Sequence, residues 1–585
     1  MVIYQENVSF DHYFGTYPHA ANTSGERLRA PRHRVSVNGL GNTAGLGGRG
    51  NLLTKNPNKN AHKRQVNPRR LDPSNINDVL ICDQDHNYTD EQKAFDGGKM
   101  DKFMTTVGTP SGASVTGQPC KPGDVMNYYD GNTVTSLWNY AKHFAMSDKS
   151  FGTTFGPSSP GAINLASGNT GNVGLMINGS NTNGDTVSDG HGGVSLVSDA
   201  QPYYDDCSTR DAVSLTGKNI GDELNSAGLS WGWFQGGFRP TTSFAQASNG
   251  TQPTSTFRPD EFKGKFASKP ASDQGLCNAV HPIGAAIGGI GGTTPGATNY
   301  GSKDDYIPHH EPFQYYATTA NPHHLAPSSL TAIGTDTQTI TNGAPQFDTP
   351  NHQYDISDFN SLVGAISHGY LSPDHLPALS LLKAPGYQDG HAGYSDPYDE
   401  QRFVTSQINA LQHTPDWSST VVIVAYDDSD GFYDHVYSGV HNTSKTASVA
   451  NPPGPQDFLN GVGICGALDN HRRLAGQSGR CRCGPRLPLL VISPWAKHGF
   501  VDHTLTDQSS VIKFVEDNWG LPRIPGSFDA IAGTLTNMLR IGGGERASNP
   551  RLFLDPVTGQ PASRASADAS QRREAAARRR HLRRK

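Results

Sequence analysis

Residues 421–430 read VVIVAYDDSD, six apolar or aromatic residues running directly into Asp427, Asp428, Ser429 and Asp430. A run this short, dominated by valine and isoleucine, is read as a buried strand and not as a helix. Polar residues at the end of such a strand lie where an open parallel sheet presents its functional groups. Two other runs share the pattern: MVIYQEN at the start of the chain, ending in Glu6-Asn7, and Leu489 to Ile492 before Ser493-Pro494. Between them, Leu137, Trp138, Tyr140, Ala141, Phe144 and Ala145 recur at helical spacing, as do Val511, Ile512, Phe514, Val515 and Trp519. Strands alternating with helices predict an α/β protein with a central, mostly parallel β-sheet flanked by helices.

The rest of the chain is loop-rich. Of its 585 residues, 66 are glycine, 39 are proline and only 17% are charged. Aperiodic stretches around 168–195 and 283–303 are predicted to be long loop insertions on one domain spanning 1–555. Residues 556–585 are predicted to be a disordered basic tail, since Lys and Arg outnumber Glu574 by eight to one over 571–585. The net charge of −5 therefore hides a more acidic body, which excludes a nucleic-acid partner and leaves at most transient contact with a membrane surface.

No stretch approaches the roughly 18 consecutive apolar residues of a membrane span. The opening MVIYQENVSF has no basic start, apolar run or cleavage site of an export signal. The seven cysteines lack paired metal-knuckle spacings. Sequence order suggests Cys82 with Cys120, Cys207 with Cys277, and Cys465 with Cys481 or Cys483. Bridges of this kind would place the protein in an oxidising, periplasmic or extracellular compartment, whereas scattered buried thiols would suit the cytosol.

The chemistry-bearing residues fall into three groups. Glu6-Asn7 and Asp427-Asp428, at two strand ends, are candidate oxygen ligands, since three carboxylates that close repel unless a cation sits among them. Alone, each pair is as well explained as a cap or loop start. Ser158 and Ser159 lie in FGPSSPGAIN, where Pro160 suits the first position of a helix whose N-terminus favours a phosphate; an ordinary serine cap fits the same residues. Histidines cluster at His86, His309-His310, His323-His324 and His391, and histidine both offsets developing charge and delivers a proton near neutral pH. Gly228 to Gly232 matches G-x-S-x-G, but a helix-like segment precedes it and a strand-like one follows, the reverse of a nucleophile elbow.

Taken in order, ENVSFDHYFG (from Glu6), DQDH with GGKMDKF (83–103), FGPSSPGAIN (from Phe155), IPHHEPFQYY (from Ile307), QDGHAGYSDP (from Gln388) and YDDSDGFYDH (from Tyr426) resemble the phosphoesterase family of bacterial acid phosphatases and phospholipases C. The resemblance covers roughly residues 1–540. It implies an alkaline-phosphatase-like fold and hydrolysis of phosphate monoesters or phospholipid headgroups. It also implies a divalent metal ion held by Glu6, Asn7, Asp427, Asp428 and Ser158, with Ser158, rather than Ser159, as nucleophile. His86, His309, His310 and His391 would surround the phosphoryl group, with His310 or His391 protonating the leaving oxygen. An all-oxygen ligand set points to Mg²⁺, Ca²⁺ or Mn²⁺ before zinc. The resemblance further implies that Met1 begins inside the first strand, and that Cys483 is the unpaired cysteine. Two other readings stand beside it: a non-catalytic, calcium-stabilised secreted binding protein, and a sulfatase-like hydrolase, whose C/S-x-P-x-R motif lacks its arginine here.

Overall fold

The structure is a computed structural model that describes residues 1–541 and 551–582, apart from 23–27, 29–30, 32–34, 42–50, 109–111, 178–183, 189–192, 241–276, 278, 290–298, 338, 342–343, 347–348, 447–453 and 467–479. Its centre is an eight-stranded sheet. The strands are β1 (Val2–Gln5), β2 (Ala145–Ser147), β3 (Trp231–Gln235), β4 (Gln353–Asp355), β5 (Leu379–Lys383), β6 (Val422–Tyr426), β7 (Leu489–Ile492) and β8 (Phe500–Asp502), in the order β4-β3-β5-β1-β6-β7-β2-β8. From β4 to β6 every neighbouring pair is parallel. Residues on both faces of β1, β5 and β6 are buried, which explains why β1 and β6 read as short apolar runs instead of alternating ones.

Helices cover the sheet. They are α1 (Tyr88–Phe95), α2 (Thr135–His143), α3 (Ser158–Ser167), α4 (Ile356–Ser367), α5 (Pro397–Gln412), α6 (Ser509–Trp519) and α7 (Arg564–Leu582). α3 packs on α6, and α5 packs on α4 and α2. One large core cluster joins residues of the sheet, such as Ile3, Leu382 and Val424, to Trp138, Phe359, Leu411 and Ile512 of these helices.

Register sets the level at which the functional loops leave the sheet. Tyr4 of β1 lies opposite Lys383 on one side and Ala425 on the other, and Gln5 lies opposite Tyr426. Glu6-Asn7 and Asp427-Asp428 therefore emerge side by side from adjacent parallel strands, and Asp427 N–H donates to the Gln5 carbonyl at 3.2 Å.

Four expectations need correction. β7 pairs antiparallel with both β6 and β2, so Ser493-Pro494 leaves from the opposite edge, where Ser493 Oγ donates to the Thr420 carbonyl just ahead of β6. Its N-terminal approach, Arg486, is what reaches the functional edge. The insertions carry short hairpins, Thr186–Ser188 with Val194–Leu196 and Val280–Pro282 with Ser302–Asp304; residues 178–183, 189–192 and 290–298 of these stretches lie outside those described. The tail is not disordered throughout, because α7 docks through Ala567, which is fully buried, and His413 Nε2 meets Asp568 at 2.8 Å. Finally, α3 begins at Ser158 behind Pro157, which makes Pro160 its third residue and not its first.

Disulfides join Cys82 to Cys120, Cys207 to Cys277 and Cys465 to Cys481, while Cys483 is a buried free thiol. Among the described residues, no helix is long and apolar enough to cross a membrane. The G-x-S-x-G match does sit between a helix, Ile220–Ser226, and strand β3, and its Ser230 hydroxyl accepts the Ala378 N–H.

Candidate active site

Ser158 is the first residue of α3, and its hydroxyl points at the ends of β1 and β6. Its Oγ lies 2.9 Å from Glu6 Oε2, 3.3 Å from Asp428 Oδ2 and 3.4 Å from Asn7 Oδ1, with every one of these side chains buried. A hydroxyl carries one hydrogen, so two of the three oxygens face Oγ with no proton between them. Asp427 completes the group, and its Oδ2 is buried without a hydrogen-bond partner. Burial, and next the charge of Asp427, push the Asp428 carboxyl well above its ordinary range; burial also raises Asp427, against the pull of Lys383.

These observations test whether a cation belongs here. The donors are all oxygen, those of Glu6, Asn7 and Asp428 converge on Ser158 Oγ, and Asp427 Oδ2 is orphaned. A divalent, oxygen-liganded metal ion fits the residues present. Lys383, buried at the end of β5, contacts Glu6 Oε1, and His86 stands beside Asn7.

The approach of α3 to β6 depends on Gly161. A β-carbon there would stand 2.4 Å from the Asp427 carbonyl oxygen and 2.9 Å from its Cα, backbone atoms that cannot swing aside. Gly161→Ala is expected to separate Ser158 from Asp427-Asp428 and lower turnover at least a hundredfold, with loss of about 1–3 kcal/mol of stability. Steady-state kinetics together with a thermal melt checks both.

The four predicted histidines surround this group but differ in state. His310 Nδ1 lies 3.2 Å from Glu6 Oε1; burial, followed by His309 and His391, holds its pKa well below the usual value. His309, adjacent to it, is pushed down by burial and then by Arg210. His391 is lowered by burial, and its Nδ1–H is spent on the Ala392 carbonyl. His86 differs from the other three. Burial opposes its charge, but Asp428, Asp83 and Asp199 outweigh burial and raise it to about 10. Its Nδ1 meets the Gln84 carbonyl at 2.9 Å and Asp430 at 3.3 Å, leaving Nε2 beside Asn7 Nδ2 at 3.5 Å.

Other predicted residues settle elsewhere. Ser159 donates to Asp199 Oδ1 at 2.9 Å and lies on the far side of the turn from the carboxylates. His323 and His324 pair with Asp206 and Asp205, away from this group.

Sequence reasoning missed Lys383, Asp389 and Glu91. Lys383 ends LSLLK, a fourth apolar run with a polar terminus, so the rule that found Glu6 and Asp427 would have found it. Asp389 stands within a quoted motif from which only the histidine was taken. Its backbone carbonyl accepts Glu6 N–H at 2.8 Å, and burial lifts its carboxyl to about 7, with Lys383 opposing. Glu91, on α1, accepts from Gly156 N–H at 2.9 Å and Ser429 Oγ at 2.7 Å, tying the serine loop to the aspartate loop. No periodicity signals that role.

Fold and site together define an α/β protein with a serine hydroxyl and an anion-receptive helix terminus set against a cation-ready carboxylate cluster at the carboxyl edge of its sheet. The chain belongs to the phosphoesterase family, whose model matches residues 1–274 and 309–522.

Relatives include the non-hemolytic phospholipase C of Pseudomonas aeruginosa, 32% identical over 183 residues, or 30% of this chain and 25% of that one. The non-hemolytic phospholipase C of Burkholderia pseudomallei is 30% identical over 33% of this chain and 27% of its own. Phospholipase C A of Mycobacterium tuberculosis is 26% identical over 31% of this chain and 32% of its own. The chain thus matches about a quarter to a third of the length of these relatives. Among solved structures, the phosphonate monoester hydrolase SpPMH from Silicibacter pomeroyi aligns with 72% of this chain and 73% of its own at 12% identity and a TM-score of 0.26.

Proposed function

We propose that the chain hydrolyses phosphoric esters, of monoester or phospholipid headgroup type, by attack of Ser158 Oγ on phosphorus. The observation that carries this reading is the convergence of Glu6, Asn7 and Asp428 on one serine Oγ at the N-terminus of α3. Glu6, at 2.9 Å, takes the serine proton as Ser158 Oγ bonds to phosphorus and the bond from phosphorus to the alcohol oxygen breaks, leaving a phosphoseryl chain and the alcohol. Water then attacks the same phosphorus, the bond to Ser158 Oγ breaks, and the phosphate leaves with Ser158 restored. Glu6, Asn7, Ser158, Asp427 and Asp428 would hold a divalent cation, which would supply positive charge beside the serine oxygen and the phosphoryl group. The oxygen donors favour magnesium, calcium or manganese over zinc.

The histidines divide the remaining work. His86, whose pKa the neighbouring aspartates raise, offsets charge on the phosphoryl group. His391 holds one proton on Nδ1 against Ala392, so it delivers a proton to the leaving oxygen only after Nε2 has taken one up from solvent, a step that weakens as pH rises; His310 is engaged with Glu6 through Nδ1. His391→Gln is expected to lower kcat about a hundredfold to a thousandfold on an alkyl phosphate and less than tenfold on p-nitrophenyl phosphate, whose leaving group needs no proton. Equal losses on both esters would remove His391 from the role.

The three disulfides support an oxidising compartment, so periplasmic or secreted residence belongs to the same reading. The deciding assay is the rate of the purified chain on a soluble monoester against diacylglycerol release from phosphatidylcholine vesicles, from pH 5 to 8. Turnover of either ester supports the reading; turnover of neither, with a sulfate ester cleaved, would replace it with a sulfatase.

A further inference from the structure

Two cations that take no part in this chemistry bracket the histidines. Arg210, on the surface, has its Nη2 3.4 Å from His309 Nδ1 and donates to the Asp199 carbonyl at 2.6 Å. Lys303, half-buried in the hairpin strand Ser302–Asp304, places its Nζ 3.9 Å above the centre of the Tyr394 ring. The opposite side of that ring stacks on His391 at 4.2 Å, and the Tyr394 hydroxyl donates to Asp389 at 3.2 Å.

The acids of the same region already have partners. Asp199 accepts both Ser159 N–H and Ser159 Oγ at 2.9 Å, and Asp83 lies 3.8 Å from His86 Nδ1. Lys303 makes no salt bridge among the described residues, and its charge is felt at His309, His310 and Asp389. Positive charge thus lies against His309, through Arg210, and against the Tyr394–His391 stack, through Lys303.

The arrangement also bears on a choline headgroup. A quaternary ammonium is held by the open face of an aromatic ring. Tyr394, the ring beside His391, has one face on the histidine and the other under Lys303, so a cationic headgroup would meet a like charge where it needs a π face.

We propose that Arg210 and Lys303 select phosphoesters whose alcohol portion carries a second negative charge, and that the site disfavours choline esters. This rests on the phosphoester reading above and names its substrate class.

The test compares kcat/KM for phosphoglycolate and phosphocholine, with phosphatidylserine against phosphatidylcholine in mixed micelles as the diester pair. The wild-type chain is expected to favour the carboxylate-bearing member of whichever pair it cleaves by at least tenfold. Lys303→Glu and Arg210→Glu should each lower that ratio about tenfold, chiefly through KM. Lys303→Gln and Arg210→Gln, which keep the side-chain length without adding a charge, should lower it less. A wild-type preference for the choline ester, or ratios unmoved in variants that keep the wild-type melting temperature, would overturn the proposal. If neither pair is cleaved, the phosphoester reading fails separately. Calorimetric titration of Ser158→Ala with phosphoglycolate and phosphocholine then decides this inference alone, and tighter binding of phosphocholine overturns it.

Discussion

Ser158→Ala will lower phosphoester turnover by about ten-thousandfold or more while leaving the protein folded and at least as stable as the wild type. The loss follows because Ser158 Oγ is the hydroxyl on which Glu6, Asn7 and Asp428 converge, while Ser159 is turned toward Asp199. Stability should not fall, because the hydroxyl donates one hydrogen to a site crowded with acceptors, and its removal leaves the fully buried α3 otherwise unchanged. Functional sites commonly trade stability for such crowding. Single-turnover kinetics and a thermal melt measure the two halves. An alanine variant with wild-type turnover would remove Ser158 as nucleophile. A variant that loses only stability would recast the cluster as the structural calcium site of a binding protein.

Removing divalent cations with a chelator will abolish turnover and lower the melting temperature by a few degrees, and added magnesium, manganese or calcium will restore both. The physical cause is the cluster's charge. Glu6, Asp427, Asp428 and Asp389 are buried together, with Lys383 and His86 as the basic groups beside them. Burial raises the carboxyl groups of Asp428 and Asp389, the latter to about 7. A carboxyl group whose folded pKa is raised takes up protons on folding, so its stabilising effect is present at low pH and is lost as pH rises through the folded value. The cation-stripped chain should therefore lose stability from about pH 4 toward pH 7, and a bound cation should flatten that slope. Differential scanning calorimetry with and without cation tests this apart from activity. A melting temperature indifferent to both chelator and pH would mean that Lys383 and His86 balance the cluster.

The carboxylates and the serine were legible because each obeys a local rule. Glu6-Asn7 and Asp427-Asp428 end apolar runs, and Ser158 opens a helix behind Gly156-Pro157. Lys383 obeys the same rule and was overlooked, while Glu91 obeys none. Glu91 matters because α1 happens to lie against both Gly156 and Ser429, 65 and 338 residues away in the chain. Gly161 likewise reads as one glycine among 66 until the helix is seen resting on the Asp427 backbone.

What the sequence determined by itself is the α/β class, the buried character of β1 and β6, and the residue types available at their ends. Apolar periodicity and run length express these locally, through the alternation of side chains along a backbone. Only the tertiary structure decided that β7 runs against its neighbours, sending Ser493 to the far edge, and that Ala567 docks a helix where a tail was expected. It alone set His86 against Asp83 and Asp430 and His310 against Glu6. A strand's apolar run is the same read in either direction, and a histidine's pKa depends on carboxylates that neighbouring residues do not supply. Both are set by packing between segments hundreds of residues apart.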